Sequence, residues 1–232
     1  NITNALQTAT YSVIPRSTIG CDGNATNVVI NVNPKPKGFN DTQTVCSDIT
    51  PNYDLAANVN NIGSGGNGVT STFSWIAANN GSIGGESFSA PVTSSTINDV
   101  LNNVGGAASN VVYTITPTST VNLCLGNTFT VTVTVNPEPV LTAALTETVC
   151  SDVASNRSLS ITNGVSMLGY YWSAVPTKTG GITGGTSRPA PGNMNNITDA
   201  FNNITNAQHT ATYSVIPRSV LGCDGNATNV VI

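Results

Sequence analysis

The chain has 232 residues, of which only seven are Lys or Arg and eleven Asp or Glu, for a net charge of -4. So sparse and dispersed a set of cations excludes a nucleic-acid reader, which needs clustered Lys and Arg against phosphate. A hydrophobic content of 39% in short runs excludes both a disordered chain and a membrane span, since no run approaches the ~18 apolar residues a span requires. The surface is therefore built of Asn, Thr, Ser and Gly. Residue 1 is Asn and no leader pattern is present, so the chain reads as a piece of a longer or processed one.

The first element, residues 1–30, carries Tyr11, Pro15 and Cys21 and returns almost unchanged at 203–232. Only Leu6/Gln208, Gln7/His209, Thr18/Val220 and Ile19/Leu221 differ. A weaker copy lies between them, with Tyr113, Pro117 and Cys124 in the same order. The joint Asn33-Pro-Lys-Pro-Lys-Gly38 follows. Its closely spaced prolines favour an extended, semi-rigid spacer. Thr-Val-Cys-Ser-Asp then occurs around Cys46 and again around Cys150.

Gly63-Ser-Gly-Gly-Asn-Gly68 fits a dinucleotide fingerprint literally, but a β-branched stretch and Trp75 follow where that site needs a helix, so it is read as a mobile loop. Thr72–Ile76 alternates as a strand with Phe73 and Trp75 on one face, and Leu168–Trp172 is its counterpart. Ile97–Asn103 and Ile197–Asn203 have i, i+4 apolar spacing and are read as one short helical turn each. Val111–Thr116 and Thr128–Val135 are strands, the second strictly alternating Thr with Phe129, Val131, Val133 and Val135. The joint Asn136-Pro-Glu-Pro139 follows, and the pattern starts again.

The unit is thus roughly 100 residues, the size of a β-sandwich. Residues 1–33 are the end of a first unit, 34–136 a complete unit and 137–232 a third truncated at its last strand. The expected core of the complete unit is Phe73, Trp75, Ile97, Leu101, Tyr113, Ile115, Phe129, Val131, Val133 and Val135. The repeated spacing pairs Cys46 with Cys124 and Cys150 with Cys223, and gives Cys21 a partner upstream of residue 1. Free buried thiols are the alternative.

The chemistry is otherwise sparse. His209 is the single histidine and its counterpart is Gln7, so a Ser–His–Asp site has no support. Asp48 and Asp152, two residues past Cys46 and Cys150, are read as turn residues, with calcium binding as the alternative. Trp75 and Trp172 are read as core, with exposed sugar-stacking platforms as the alternative. No catalytic, cofactor-binding or metal-ligating residue is expected.

The pattern Tyr-x-Val/Ile-x-Pro, then Gly-Cys-x-Gly, then Val-x-Val-Asn-Pro-x-Pro, after an upstream Val-Cys-Ser, resembles the PKD-like, immunoglobulin-like repeats of very large Bacteroidetes surface proteins. It is similar to repeats of the flavobacterial gliding-motility adhesins exported by type IX secretion. The resemblance spans essentially the whole chain. It implies an all-β array of sandwiches set end to end, at the bacterial cell surface, serving adhesion or gliding. The implied partners are neighbouring repeats and extracellular polysaccharide or a surface, with no cofactor. A carbohydrate-binding module and an accessory region of a secreted hydrolase are the rival readings.

Overall fold

The computed structural model describes residues 1–192 and 194–232. It is all-β apart from one turn of 3-10 helix and one six-residue α-helix, and its strands fall into three groups matching the sequence repeats. The first group is a lone hairpin, β1 (Gln7–Val13) against β2 (Thr26–Val32).

The middle group is a five-stranded sheet built from β3 (Asp41–Cys46), β4 (Ser71–Ala77), β5 (Val92–Thr93), β6 (Ser109–Ser119) and β7 (Phe129–Asn136), in the order β3-β7-β6-β4-β5. Threonine and β-branched residues suit a pleated sheet with one dry face. In β7, Phe129, Val131, Val133 and Val135 are buried and the intervening residues lie half exposed, as strict alternation demands. Two small antiparallel ladders, Tyr53–Asp54 with Thr96–Ile97 and Ile83–Gly84 with Asn102–Asn103, supply further short strands. Helix α1 (Leu55–Asn60) starts where the Asp54 carboxylate accepts the amides of Ala56 and Ala57. Its Leu55 and Val59 join the core.

The C-terminal group repeats the plan. Its strands β8 (Leu145–Thr146), β9 (Met167–Trp172), β10 (Arg188–Gly192), β11 (Ala211–Ser219) and β12 (Thr228–Val231) form a sheet in the order β8-β12-β11-β9-β10, with a sixth short strand, Thr177–Lys178, paired to the start of β11.

All ten core residues expected of the middle unit are buried in one cluster. Trp75 meets Tyr113 edge to face at 5.5 Å, and Trp172 meets Tyr213 the same way at 5.5 Å. The two tryptophans are core residues and present no stacking platform. Each core also holds a tyrosine–carboxylate link, Tyr113 Oη donating to Asp99 (3.0 Å) and Tyr213 Oη to Asp199. Burial and the adjacent carboxylate push both phenols above their ordinary range.

Two local expectations are corrected. Ile97–Asn103 and Ile197–Asn203 are not helical turns. Ile97, Leu101, Ile197 and Phe201 are buried along an extended path that forms the short ladders, where i, i+4 spacing serves equally well. The chain instead makes its helix at Leu55–Asn60, a segment with no long apolar period to reveal it.

Candidate functional site

The prolines of each joint have no amide hydrogen and hold an extended backbone, so the carbonyls and the remaining amides between them need partners from outside the joint. At the second joint one side chain supplies them. Asn163 Nδ2 donates to Glu138 O (2.7 Å) and to Gly105 O (3.4 Å), while Asn163 Oδ1 accepts from Val140 N (3.2 Å). The first joint repeats these three bonds and adds a fourth, to Ile2 O. Asn67 Nδ2 donates to Lys35 O (2.9 Å), Ile2 O (3.1 Å) and Thr3 O (3.4 Å), and Asn67 Oδ1 accepts from Lys37 N (2.9 Å). One asparagine thus ties the loop before the joint, the joint itself and the unit after it.

Asn67 lies in the Gly-rich stretch expected to be a mobile loop. The structure corrects that expectation. Gly63 and Ser64 are exposed, but the second half of the stretch is packed: Gly66 and Asn67 are buried, and a Cβ on Gly66 would strike the carbonyls of Asn58 and Val59. The signal in the sequence is the triplet Asn-Gly-Val, present at 67–69 and again at 163–165.

The hairpin of the following unit closes the joint. A Cβ on Gly126 would collide with Pro36 O, and one on Gly225 with Pro139 O, so only glycine allows this approach. Both glycines sit just past a cysteine in the same turn. Ser119 N donates to Cys124 O (3.0 Å) and Cys124 N to Ser119 Oγ (3.1 Å), as Ser219 N donates to Cys223 O (2.9 Å) and Cys223 N to Ser219 Oγ (3.1 Å).

At the second joint this hairpin is bolted down. Cys46 is bonded to Cys223 across 177 residues, with their Cα atoms 5.6 Å apart. The expected pairs Cys46–Cys124 and Cys150–Cys223 are not formed, and Cys21, Cys124 and Cys150 are free. Strand direction explains the difference. β3 runs parallel to β7, which sets Cys46 beside Asn136. Cys124 lies before Phe129, at the other end of β7. An eight-residue strand at ~3.3 Å per residue separates them by about 25 Å, far beyond the ~7 Å a disulfide spans between Cα atoms. The parallel pair β8 and β12 likewise carries Cys150 away from Cys223. Each unit therefore holds its two cysteines at opposite poles, and the bridge observed joins one unit to the next.

The two joints differ in charge. Glu138 is half-buried, and burial first, then the nearby Asp48 and Asp224 carboxylates, push its carboxyl up to about 7. Asp224 is itself held by Tyr171 Oη (2.9 Å) and Arg218 (3.3 Å). The residue in the place of Glu138 at the first joint is Lys35, whose Nζ donates to Asn127 Oδ1 at 2.7 Å.

Asp48 and Asp152 take the left-handed conformation (φ 61° and 62°) and accept hydrogen bonds from Asn102 (2.7 Å) and Asn202 (3.1 Å). They are turn residues. Among the described residues no group of three or more His, Cys, Asp or Glu side chains is placed to hold a metal. His209 is half-buried in a hollow of about 240 Å³ at the far pole of the C-terminal unit, beside Cys150, Phe201 and Ile232.

The PKD-like domain family matches three stretches, residues 1–36, 43–139 and 147–232. No curated protein matches the chain. Among solved structures it is similar to the Bacteroides ovatus mixed-linkage glucan utilization locus protein SGBP-B, solved with a mixed-linkage heptasaccharide, at 13% identity and a TM-score of 0.25. That match covers 97% of this chain and 46% of the other, so the chain spans less than half the length of that protein. It is also similar to mouse protocadherin-24 EC1-3, at 9% identity and a TM-score of 0.28, over 98% of this chain and 79% of the other. PKD-like domains are a non-catalytic structural fold, typically extracellular, and a disulfide accords with a compartment outside the cytoplasm. With nearly every residue inside one of the three matched stretches, the chain belongs to the PKD-like domain family.

Proposed function

We propose that this chain is a stretch of stalk in a large secreted cell-surface adhesin, where units 34–136 and 137–232, preceded by the end of another at 1–33, stand end to end and carry tension between the cell and a distal binding region. Surface adhesion or gliding motility is the process it serves. The observation that carries the reading is the parallel, in-register pairing of β3 with β7. The chain enters the middle unit near Asp41 and leaves at Asn136, at opposite ends of that ladder. With the Cys46–Cys223 bond intact, the covalent path through Cys46 and Cys223 carries the load and holds 47–222 closed. With that bond reduced, a pull on the two ends slides the strands past one another. The ladder's hydrogen bonds then share the load and must fail together, whereas strands pulled apart from one end fail one bond at a time.

The joints support the same reading. Each is short, proline-stiffened and clamped by an asparagine, so tension passes from sheet to sheet with little slack. The rival reading as a carbohydrate-binding module loses its candidate platforms, because Trp75 and Trp172 are buried.

Single-molecule force spectroscopy of the chain tests this. Under reducing conditions the middle unit should unfold in one high-force step, and Thr44→Pro, which removes an amide from β3, should lower that force markedly. With the Cys46–Cys223 bond formed, that step should vanish because 47–222 lies inside the covalent loop. Low-force, gradual extension of the unaltered unit would contradict a tension-bearing role.

A further inference from the structure

We propose that the far pole of the C-terminal unit, centred on Cys150, is a docking socket for a further PKD-like unit of the middle type, whose hairpin cysteine bonds Cys150. The inference rests on the joint's geometry and stands apart from the adhesive role.

Two independent observations meet at this pole. The first concerns the cysteine. Cys150 occupies the place of Cys46, in the same Thr-Val-Cys-Ser-Asp segment, and its surroundings are already set as those of Cys46 are. Asp152 N donates to Phe201 O (2.8 Å) and Asn203 N to Ser151 Oγ (2.9 Å). Around Cys46, Asp48 N donates to Leu101 O (2.8 Å) and Asn103 N to Ser47 Oγ (2.9 Å). In that setting Cys46 is bonded to the hairpin cysteine of the next unit.

The second observation concerns the loop beside it. Asn203-Ile-Thr-Asn-Ala207 is identical to Asn1-Ile-Thr-Asn-Ala5. Both loops fold alike, with Thr3 N on Asn1 Oδ1 (3.1 Å) and Thr205 N on Asn203 Oδ1 (3.0 Å). The first of them is docked in this structure. Its Ile2 and Thr3 carbonyls accept from Asn67 of the middle unit. The loop at 203–207 therefore presents the surface that a middle-type unit reads with Asn67, and Cys150 presents the thiol that a hairpin cysteine reads. A middle-type unit offers both, since it carries Asn67 and a free Cys124 at the same pole. By the same rule, Cys124 and Cys21 are the hairpin halves of bonds to the Cys46-type residue of a preceding unit.

Bond formation is an oxidation. The two thiols give up two protons and two electrons to a small-molecule disulfide such as oxidised glutathione, which is reduced to two thiols.

The test appends a second copy of residues 31–136 after Ile232. Because 203–232 repeats 1–30, the new junction reproduces the one at residue 30. Val121→Ala in the added copy marks its hairpin peptide by mass. After oxidation in a glutathione buffer, non-reducing peptide mapping should link Cys150 to the added copy's marked hairpin cysteine. The free-thiol count should stay at the three of the original chain. Asn67→Ala in the added copy, which leaves the sheets intact, should make that bond several-fold easier to reduce. A folded chain, verified by tryptophan fluorescence, in which Cys150 and the marked cysteine both stay alkylatable would overturn the proposal. So would a bond from Cys150 to the original Cys124, to Cys223 or to a second molecule.

Discussion

Tyr11 and Tyr213 sit in hairpins that share 26 of 30 residues, yet Tyr11 is 56% exposed and Tyr213 is 0% exposed. The hairpins have the same register: Tyr11 faces Val28, and Tyr213 faces Val230. They turn by the same bonds, from Ser17 N to Cys21 O and from Ser219 N to Cys223 O, both 2.9 Å. Gly20 and Gly222 take the positive φ that each turn needs. Arg16 faces Asp22 as Arg218 faces Asp224. What differs is the sheet around them. β11 lies between β12 and β9, with Trp172 against its tyrosine, while β1 has only β2. Pairing and turn are thus written locally, and burial is supplied by segments up to about 70 residues away.

The largest expected difference between the hairpins comes from the tyrosine. Tyr213→Ala opens a cavity against Trp172 and strips Asp199 of a donor, and should cost the C-terminal unit about 3–5 kcal/mol in urea unfolding. Tyr11→Ala should leave both unit transitions within about 0.5 kcal/mol. Equal effects would mean that the first hairpin is packed in solution.

The cysteines come next. Cys223→Ser removes the bond across the joint and should destabilise the C-terminal unit by about 2–4 kcal/mol, whereas Cys21→Ser should change nothing measurable. Calorimetry under oxidising conditions separates the two. A silent Cys223→Ser would remove the bolt from the account.

The clamp sharpens the comparison further. Asn163→Ala leaves the joint's polar groups without partners and should cost about 1–3 kcal/mol of unit coupling, seen as a loss of cooperativity between the middle and C-terminal transitions. Asn67→Ala should loosen the first hairpin, with faster amide exchange in 7–32 and no change in the core of the middle unit.

The smallest effect is in pH. Glu138 has an ordinary value of 4.5 that is raised to about 7 in the folded joint. Between those values the folded state holds a proton that the unfolded chain releases. Stability should therefore fall as pH rises from about 4.5 to about 7 and be flat on either side. Glu138→Gln should abolish that slope in melting temperature, and the first joint, with Lys35, should show none of it. A slope that persists in the variant would assign it to another group.

Much of this was legible from residue patterns. Strict alternation in 128–135 placed β7 and its four buried side chains, and the matched Trp75 and Trp172 placed two cores. The cysteines show where such reading stops. Repeat spacing tells which cysteines are equivalent, but the pole each occupies depends on whether the first strand runs parallel or antiparallel to the last. Nothing in the alternation of β3 encodes its direction. The clamp was hidden for a different reason. Asn67 sits among glycines that score as flexible in isolation, and only its backbone acceptors in the preceding loop make it rigid. A repeated Asn-Gly-Val triplet was the available signal.

The cross-joint bond is the central claim, and non-reducing peptide mapping of the oxidised 232-residue chain tests it most directly. The account predicts one disulfide, linking the Cys46 and Cys223 peptides, with Cys21, Cys124 and Cys150 recovered alkylated. A Cys46–Cys124 or Cys150–Cys223 peptide would contradict it, because either would require the parallel pairing of first and last strands to be wrong.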